Sequence, residues 1–316
     1  MAVVLLLAFS AVIGIALWEK EHSQFSGQDA TTHHTLTYQG LEYEFRQDIE
    51  TILLLGLDSP TSEETTSYND RQKVDFLLLL VIDRREQTLY VISINRDTMA
   101  DMNELGLAGD KMGTVTQQIA LAYTYGNGRE VSCRNTANAV SGLLKNVTID
   151  HYLSITMEGI SLCHDMLDGV TLEILDDLTH VDSALVKGET VTLSAVQALT
   201  YIRAGQDPED PANASRLKRQ QQYVEALYTR MRDAVKDDRN LLVKVALKLS
   251  SHMISDCSIN KLKSLLERLT QYELREMWEM DGQFINGGAH MEFYPDEESL
   301  MEIVIKCFCQ EKKERD

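Results

Sequence analysis

Several residue types are scarce in this sequence, and the scarcity of positive charge is the most informative shortage. Lysine and arginine account for 30 of the 316 residues, against 49 aspartates and glutamates, so the formal net charge is −19. Proteins that bind nucleic acids concentrate lysine and arginine to neutralise phosphates, and this balance argues against such a partner. It also argues against broad adsorption to an anionic membrane surface.

Cysteine is scarce as well, and the five cysteines show no spacing typical of zinc ligands. No histidine pattern marks any of them as a nucleophile, so a catalytic cysteine is not expected. In an oxidising compartment, a bridge between Cys133 and Cys163 is one option. The odd count leaves at least one thiol free or paired between chains.

Charge is missing altogether from residues 2–18, which are almost continuously apolar. The run is just long enough to cross a thin bilayer core, and Trp18 suits an interfacial position. A signal peptide has a shorter apolar region and a small-x-small cleavage site, and no such site is apparent here. We therefore predict that residues 1–18 form a single-span membrane anchor, with a secreted form as the alternative. Glu19 and Glu21 follow the run, which favours an extracytoplasmic position for the larger part of the chain.

Polar and irregular sequence occupies residues 19–48, and we predict a linker there. A single folded domain is expected over residues 49–310, with a frayed tail at residues 311–316. Hydrophobic residues make up 44% of the chain, which is ample for the core of such a domain.

Three apolar runs near the start of this domain predict strands that are buried on both faces. They are TILLLGLD at residues 51–58, VDFLLLLVID at 74–83 and LYVISINRDT at 89–98. The connection between the second and third runs is hairpin-sized, which predicts an antiparallel pair. If the first two runs are antiparallel too, Asp58, Asp75 and Arg96 meet at one end of the sheet. Two carboxylates and a guanidinium there predict a site for a metal ion and a phosphate.

Helices and strands alternate in much of the remaining domain. The patterns predict a loop at residues 103–113, helices at 114–125, 136–144, 160–167, 241–249, 259–269 and 297–309, and strands at 149–157, 170–175 and 277–280. Asn135 is a suitable N-cap for the helix that follows it. Alternation after an antiparallel start predicts an α/β fold with a mixed central sheet and helices on both faces.

A second informative region begins with a predicted helix at residues 194–204. The loop at 205–213 holds two of only four prolines, which break regular structure. A longer helix follows, and one of its faces carries Arg216, Arg219, Gln220 and Tyr223. Arginines gain nothing from the helix dipole in these first turns, which favours an anion-binding role over a merely solvated basic face.

The ordered set of motifs resembles the LytR-CpsA-Psr family of bacterial cell-envelope proteins. The resemblance extends over residues 49–231 and rests on Leu55-Gly56-x-Asp58, Asp75, Asn95-Arg96-Asp97-Thr98, Asp168-Gly169-Val170, and Arg203 followed by Arg216-x-x-Arg219-Gln220. It implies an α/β fold with a central mixed sheet. It also implies a Mg²⁺-assisted phosphotransferase that moves a glycopolymer from a polyprenyl-pyrophosphate carrier onto peptidoglycan. Teichoic acids and capsular polysaccharides are the implied substrate classes.

The resemblance also implies roles for single residues. Asp58 and Asp75 match the family's Mg²⁺-associated carboxylates, Arg96 matches the arginine of its Arg-Asp-Thr motif, and these three are the candidate catalytic residues. The candidate pyrophosphate ligands are Arg71, Lys73, Arg96, Arg203, Arg216, Arg219 and Gln220. Asp97 is expected to orient its neighbours.

Two positions depart from the family pattern. Lys73 stands where the family has the arginine of Arg-x-Asp, although Arg71 lies close by, and Gly205 replaces the second arginine of Arg-x-Arg. Lysine holds phosphate as a point charge and not as a planar fork. A non-catalytic binder of lipid-linked cell-wall polymer is therefore an alternative function, and an envelope-linked transcriptional attenuator is a third. The general base stays open between Asp58 and Asp75.

Overall fold

The computed structural model describes residues 35–58, 72–106, 109–204, 214–238, 241–257, 271–288 and 290–312, together with Lys261, Leu265 and Arg268. The strands in this part of the chain are β1 (Thr35–Tyr38), β2 (Leu41–Phe45), β3 (Ile49–Leu57), β4 (Val74–Asp83), β5 (Thr88–Ile94), β6 (Met99–Leu105), β7 (Lys111–Gln118), β8 (His151–Thr156), β9 (Val170–Glu173), β10 (Thr190–Leu193), β11 (Met253–Ser255), β12 (Glu273–Glu279), β13 (Gly282–Asn286), β14 (Met291–Pro295) and β15 (Cys309–Glu311). The α-helices are α1 (Glu130–Leu143), α2 (Met157–Met166), α3 (Ala195–Arg203), α4 (Ala214–Asp237), α5 (Leu241–Leu249) and α6 (Glu297–Phe308), and a 3-10 helix spans Ile119–Tyr125.

The centre of the described domain is a mixed sheet with the strand order β11-β8-β3-β4-β5-β12. Strand β4 pairs antiparallel with both β3 and β5, whereas β8 and β12 run parallel to β3 and β5 respectively. The predicted antiparallel course of the first three strands is therefore confirmed. Because β3, β4 and β5 are continuous apolar runs, the sheet is covered on both faces.

Successive residues of the central strands enter two separate cores. Leu78 and Leu80 pack with apolar residues of α2, α3, α4 and α5 on one face. Leu77 and Leu79 pack with α1, α6 and the 3-10 helix on the other. This alternation follows from the two-residue period of a strand, and it confirms the predicted helices on both faces.

The segment between residues 99 and 125 differs from its prediction. Strands β6 and β7 form a hairpin where a loop and the start of a helix were expected, and only the Ile119–Tyr125 stretch is helical, as a 3-10 helix. Residues of β7 alternate between exposed and half-buried positions, as expected for a strand with one covered face. Within β7 only Met112 and Val115 are apolar, so no period of two is evident from the sequence there.

Helix α1 begins earlier than predicted, and Asn135 is not its N-cap. The helix starts at Glu130, so Asn135 lies inside it and is buried. The Asn135 side-chain amide donates to the carbonyl oxygens of Asn103 and Ala122, at 3.1 and 2.9 Å. The residue therefore joins α1 to the hairpin and to the 3-10 helix, which is a tertiary role that local capping rules do not anticipate.

The linker predicted at residues 19–48 is wrong for its last part. Strands β1 and β2 pair with each other within Thr35–Phe45, and β2 also pairs with β15, whose last residue, Glu311, belongs to the predicted frayed tail. Arg46 forms an ion pair at 2.7 Å with Asp83, which is buried at the end of β4. The polar character of this segment therefore reflects a small outer sheet and not an irregular chain.

All five cysteines are free and buried, so the proposed bridge between Cys133 and Cys163 is absent. Cys133 belongs to the core on the α1 face of the sheet, and Cys163 to the core on the α2 face. A covered sheet separates the two thiols, which excludes the short Cα–Cα distance that a disulfide requires.

Among the described residues, no helix has the length and apolar character needed to cross a bilayer. The anchor predicted at residues 1–18 lies outside the described part of the chain.

Candidate functional site

The two predicted carboxylates lie together where β3 ends and β4 begins. Asp58 directly follows β3, and its backbone N–H donates to the Lys73 carbonyl oxygen at 2.9 Å. Asp75 is the second residue of β4 and is 6% exposed. Because the two strands are antiparallel, the end of one meets the start of the other.

Close packing at the end of β3 depends on Gly56. This residue pairs with Phe76 across the two strands, and a Cβ atom on it would lie 1.9 Å from Phe76 Cε1. The aromatic ring therefore fills the space that a side chain would need. The glycine of the Leu55-Gly56-x-Asp58 motif thus fixes the local packing beside both carboxylates.

A tight turn after β5 presents Arg96 to the same cluster. The Asp97 N–H donates to the Asn95 side-chain oxygen at 2.9 Å, and the Thr98 N–H donates to the Asn95 carbonyl oxygen at 3.1 Å. Such turns are the usual use of asparagine in loops. The Arg96 guanidinium leaves the turn and donates from Nη1 to Asp75 Oδ1.

Two arginines from distant helices complete the cluster. Arg203, the last residue of α3, places Nη2 2.5 Å from Asp58 Oδ1 and Nε 3.7 Å from Asp75 Oδ2. Arg216, in the first turn of α4, places Nη1 4.0 Å from Asp75 Oδ1. The predicted meeting of Asp58, Asp75 and Arg96 at one end of the sheet is therefore confirmed, and Arg203 and Arg216 join them.

Arg219 and Gln220 hold the end of α3. The Arg219 guanidinium donates to the carbonyl oxygens of Tyr201 (2.8 Å) and Ala204 and forms an ion pair with Asp176, and its side chain is 3% exposed. The Gln220 amide donates to the Ile202 carbonyl oxygen at 3.1 Å. The last carbonyls of a helix have no partner within the helix, so these two side chains satisfy them. Their contacts fix the helix end from which Arg203 reaches the carboxylates.

Burial shapes the electrostatics of the cluster. It lowers the pKa of the Arg216 guanidinium below its usual value, although the negative charge of Asp75 opposes that shift. It also raises the pKa of the Asp97 carboxyl, against the opposing effect of Arg96. A buried guanidinium with a lowered pKa lacks sufficient negative charge around it. An anion arriving at Arg216 would supply that charge.

Gln118 and Asp176 were not anticipated from the sequence, and Asn95 was anticipated only as part of its motif, without a role. Gln118 donates to Asp97 Oδ1 at 2.7 Å and to the Met291 carbonyl oxygen at 2.8 Å. These two hydrogen bonds connect the turn that carries Arg96 to β14. Asn95 shapes the turn, and Asp176 anchors Arg219. Gln118 was overlooked because its strand was predicted as a helix. An asparagine two residues before an aspartate is typical of such a turn and could have indicated the role of Asn95.

For two predicted pyrophosphate ligands, Lys73 and Arg71, the structure gives no side-chain contact with the cluster among the described residues. Lys73 contributes its backbone carbonyl oxygen to Asp58, as described above. Arg71 and the loop 205–213, which contains Gly205, lie outside the described residues.

The fold and the site together define an α/β domain whose mixed sheet ends in a cluster of carboxylates and arginines. The model of the LytR_cpsA_psr family matches residues 16–301, and the chain belongs to this family. The family resemblance seen in the sequence motifs is thereby confirmed.

Curated relatives share about a quarter of their residues with this chain. The polyisoprenyl-teichoic acid–peptidoglycan teichoic acid transferase TagU of Halalkalibacterium halodurans is 26% identical over 251 residues, which are 78% of this chain and 68% of the relative. The protein of the same name from Bacillus licheniformis is 26% identical over 265 residues, 81% of this chain and 76% of the relative. Among solved structures, TagT bound to LI-WTA superposes with a TM-score of 0.61 at 17% identity, covering 83% of this chain and 90% of that chain. At that identity the superposition shows a shared fold.

Proposed function

We propose that this protein is a phosphotransferase that moves a glycopolymer of the teichoic acid or capsular polysaccharide type from a polyprenyl-pyrophosphate carrier onto peptidoglycan. The observation that carries the proposal is the meeting of Arg96, Arg203 and Arg216 around Asp58 and Asp75. The names of the TagU relatives support the substrate class, and so does the ligand named for the TagT structure.

The arginine cluster suits a pyrophosphate for an electrostatic reason. Cleaving a phosphoanhydride concentrates negative charge on the leaving phosphate, and forked guanidinium donors neutralise that charge in a site that is already organised. Arg216 supplies a buried cation whose lowered pKa favours an incoming anion. Arg203 is 41% exposed and so is accessible to a large substrate.

In the proposed reaction, an acceptor hydroxyl oxygen attacks the phosphorus that bears the glycopolymer. A new P–O bond forms, the bridging P–O bond to the lipid-linked phosphate breaks, and the hydroxyl proton passes to a carboxylate. Asp58 is 35% exposed whereas Asp75 is 6% exposed, so Asp58 is the one that an acceptor from solvent meets first. We assign the general base to Asp58 and the organisation of the three guanidiniums to Asp75.

The residues present also fit Mg²⁺, which the family resemblance implies. Arg203 contacts both Asp58 and Asp75, so the two carboxylates lie close enough to share one cation. Mg²⁺ prefers carboxylate and phosphate oxygens and keeps several waters, so two carboxylates suffice on the protein side. A bound Mg²⁺ would supply charge neutralisation for the phosphates.

We further propose that the apolar run at residues 2–18 anchors the protein in the cell membrane as a single span. The catalytic domain would then lie outside the cytoplasm, where a lipid-linked polymer and peptidoglycan meet. The length of the run and its lack of charge support this proposal.

The test is transfer by the purified full-length protein in detergent, given a polyprenyl-pyrophosphate-linked glycopolymer, peptidoglycan and Mg²⁺. We expect Asp75→Asn to lower the transfer rate about 100-fold or more, because it removes the partner of three guanidiniums. Asp58→Asn should abolish transfer while the lipid-linked substrate still binds. The matched control is Asp165→Asn. Asp165 is an exposed aspartate of α2 and is not part of the cluster.

Substrate binding without turnover, unchanged by Asp75→Asn, would contradict the transferase and favour the non-catalytic binder. Specific DNA binding in a gel-shift assay would favour the transcriptional attenuator.

A further inference from the structure

A second cluster of ligating side chains lies at the opposite end of the central sheet. His151 begins β8, and Asp256 and Cys257 directly follow β11, the strand that pairs with β8. Because β8 runs parallel to β3 with His151 opposite Ile52, this cluster is level with the start of β3. Asp58 follows the other end of that strand, about 20 Å away at the usual rise per residue.

The three side chains converge closely. One possible ligand atom from each of His151, Asp256 and Cys257 lies within 4.8 Å of the other two. The Asp256 carboxylate is held in place because its Oδ1 accepts a hydrogen bond from the Tyr152 N–H at 3.0 Å. Cys257 is 1% exposed, and its N–H donates to the Ser255 hydroxyl at 3.1 Å.

The His151 ring supplies an independent observation. Its Nδ1 atom is buried, and it has no hydrogen-bond partner in the part of the chain that the structure describes. The nearest carboxylate oxygen, Asp256 Oδ1, lies 3.6 Å away, which is beyond a hydrogen bond. The buried Nδ1 atom therefore has a carboxylate neighbour at ion-pair distance but no hydrogen bond within the described residues, and a metal ion between the two side chains would bind both.

We propose that His151, Asp256 and Cys257 bind a divalent transition-metal ion of the zinc class. A thiolate and an imidazole exclude Mg²⁺ and Ca²⁺ as preferred ions, whereas the combination of sulfur, nitrogen and oxygen ligands suits Zn²⁺. In a tetrahedral zinc site the ligand atoms lie about 3.3–3.8 Å apart, so the 3.6 Å between His151 and Asp256 already fits, and no separation needs to close by more than about 1 Å. The Tyr152 N–H to Asp256 contact is the kind of support that orients a metal ligand.

The site would act as a structural clamp. His151 and Cys257 belong to segments far apart in the sequence, and the metal would join the start of β8 to the segment after the edge strand β11. Its distance from Asp58 and Asp75 separates it from the transfer chemistry. A metal bound only by the folded protein stabilises that protein in proportion to its affinity.

The test uses the purified full-length protein under reducing conditions, titrated with Co²⁺ and separately with Zn²⁺. Co²⁺ should bind at one equivalent with a thiolate-to-cobalt charge-transfer band in the near ultraviolet, and Zn²⁺ should displace it. At a hundredfold excess over Kd, Zn²⁺ should raise Tm by roughly 3–8 °C. Cys257→Ser should abolish the charge-transfer band, and it should raise Kd at least about 100-fold.

Matched variants make the outcome specific. Cys309→Ser removes a buried cysteine outside the cluster and should leave the band unchanged. Asp256→Ala changes an exposed residue, so it should fold even if Cys257→Ser does not, and it should weaken Co²⁺ binding. Absence of a stoichiometric band, or a band that survives Cys257→Ser, overturns the proposal. Binding without a thiolate band places the ion elsewhere, with the Asp58 and Asp75 carboxylates as one such location, and also overturns it.

Discussion

Arg219 donates from Nε to the Tyr201 carbonyl oxygen across 2.8 Å, and this contact joins the start of α4 to the end of α3. The same guanidinium reaches the Ala204 carbonyl oxygen and Asp176, and it lies over the Tyr201 ring with Cζ 5.9 Å from the ring centroid. Arg219 is therefore buried against the end of α3, close to Arg203, the residue that we propose binds the substrate. Its predicted role as a pyrophosphate ligand stays a prediction, and its contacts indicate that it positions Arg203.

We predict that Arg219→Ala lowers the free energy of unfolding by about 2–4 kcal/mol, because it leaves buried carbonyl oxygens without a partner. Arg219→Lys should recover little of this loss, since an ammonium group cannot reproduce the forked geometry. The measurement is urea denaturation of each variant. Arg203→Ala is the control: its side chain is 41% exposed, so transfer activity should fall while stability changes by less than about 1 kcal/mol. An Arg219→Ala protein as stable as the wild type contradicts the positioning role.

A second prediction concerns Gly56 beneath the Phe76 ring. Gly56→Ala places a methyl group 1.9 Å from Phe76 Cε1, so the free energy of unfolding should fall by about 1–3 kcal/mol through overpacking. Adding Phe76→Leu should recover part of that loss. Gly142→Ala is the matched control, because no described atom beyond the adjacent residues and the helix's own backbone lies within 4 Å of a Cβ there, and alanine is the better helix former. Equal effects of the two glycine substitutions on urea denaturation would count against the packing argument.

A third prediction concerns the pH dependence of stability through His164. This residue is 1% exposed, and its ring nitrogens contact the Tyr223 hydroxyl at 2.9 Å and the Leu193 carbonyl oxygen at 2.6 Å. Burial lowers the pKa of His164 below its usual 6.5, although the contact with Leu193 opposes that shift. As the pH falls below about 6.5, the unfolded chain takes up a proton that the folded chain resists. Stability should therefore fall by up to about 1.4 kcal/mol per pH unit from this residue.

The measurement is the free energy of unfolding at about pH 7.5 and about pH 5.5, on either side of the usual histidine pKa. His164→Gln keeps hydrogen-bonding capacity and removes the titration, so its stability should change less between the two values. Other titrating groups, such as His151, are common to both proteins and cancel in the comparison. Identical pH profiles for wild type and His164→Gln would show that burial does not depress this pKa.

A fourth prediction concerns the cysteines. Because all five are free in the fold, a thiol reagent should titrate five thiols per chain once the protein is unfolded without reductant. In the native protein the reaction should be slow, since each cysteine is at most 8% exposed. A count of three thiols would indicate a disulfide and contradict the position of Cys133 and Cys163 on opposite faces of the sheet.

The sequence predicted the structure best where a segment is apolar throughout, because such a segment is buried regardless of which elements pack against it. The runs that form β3, β4 and β5 are apolar throughout, and their hairpin-sized connection fixed the direction of the last two strands. From that order alone, Asp58, Asp75 and Arg96 could be placed at one end of the sheet. The β6–β7 hairpin could not be predicted in this way. Many of its residues are partly exposed, and its apolar residues do not alternate clearly with polar ones.

The sequence by itself determined the central strands, the family and the residue types of the site, since solvent exclusion acts on each segment locally. Only the tertiary structure decided which arginines reach the carboxylates, because Arg216 and Arg219 share one helix face yet have different partners. It also brought His151 beside Cys257, two residues that no spacing rule connects. These contacts depend on strand register and helix packing between distant segments, which a linear pattern does not encode.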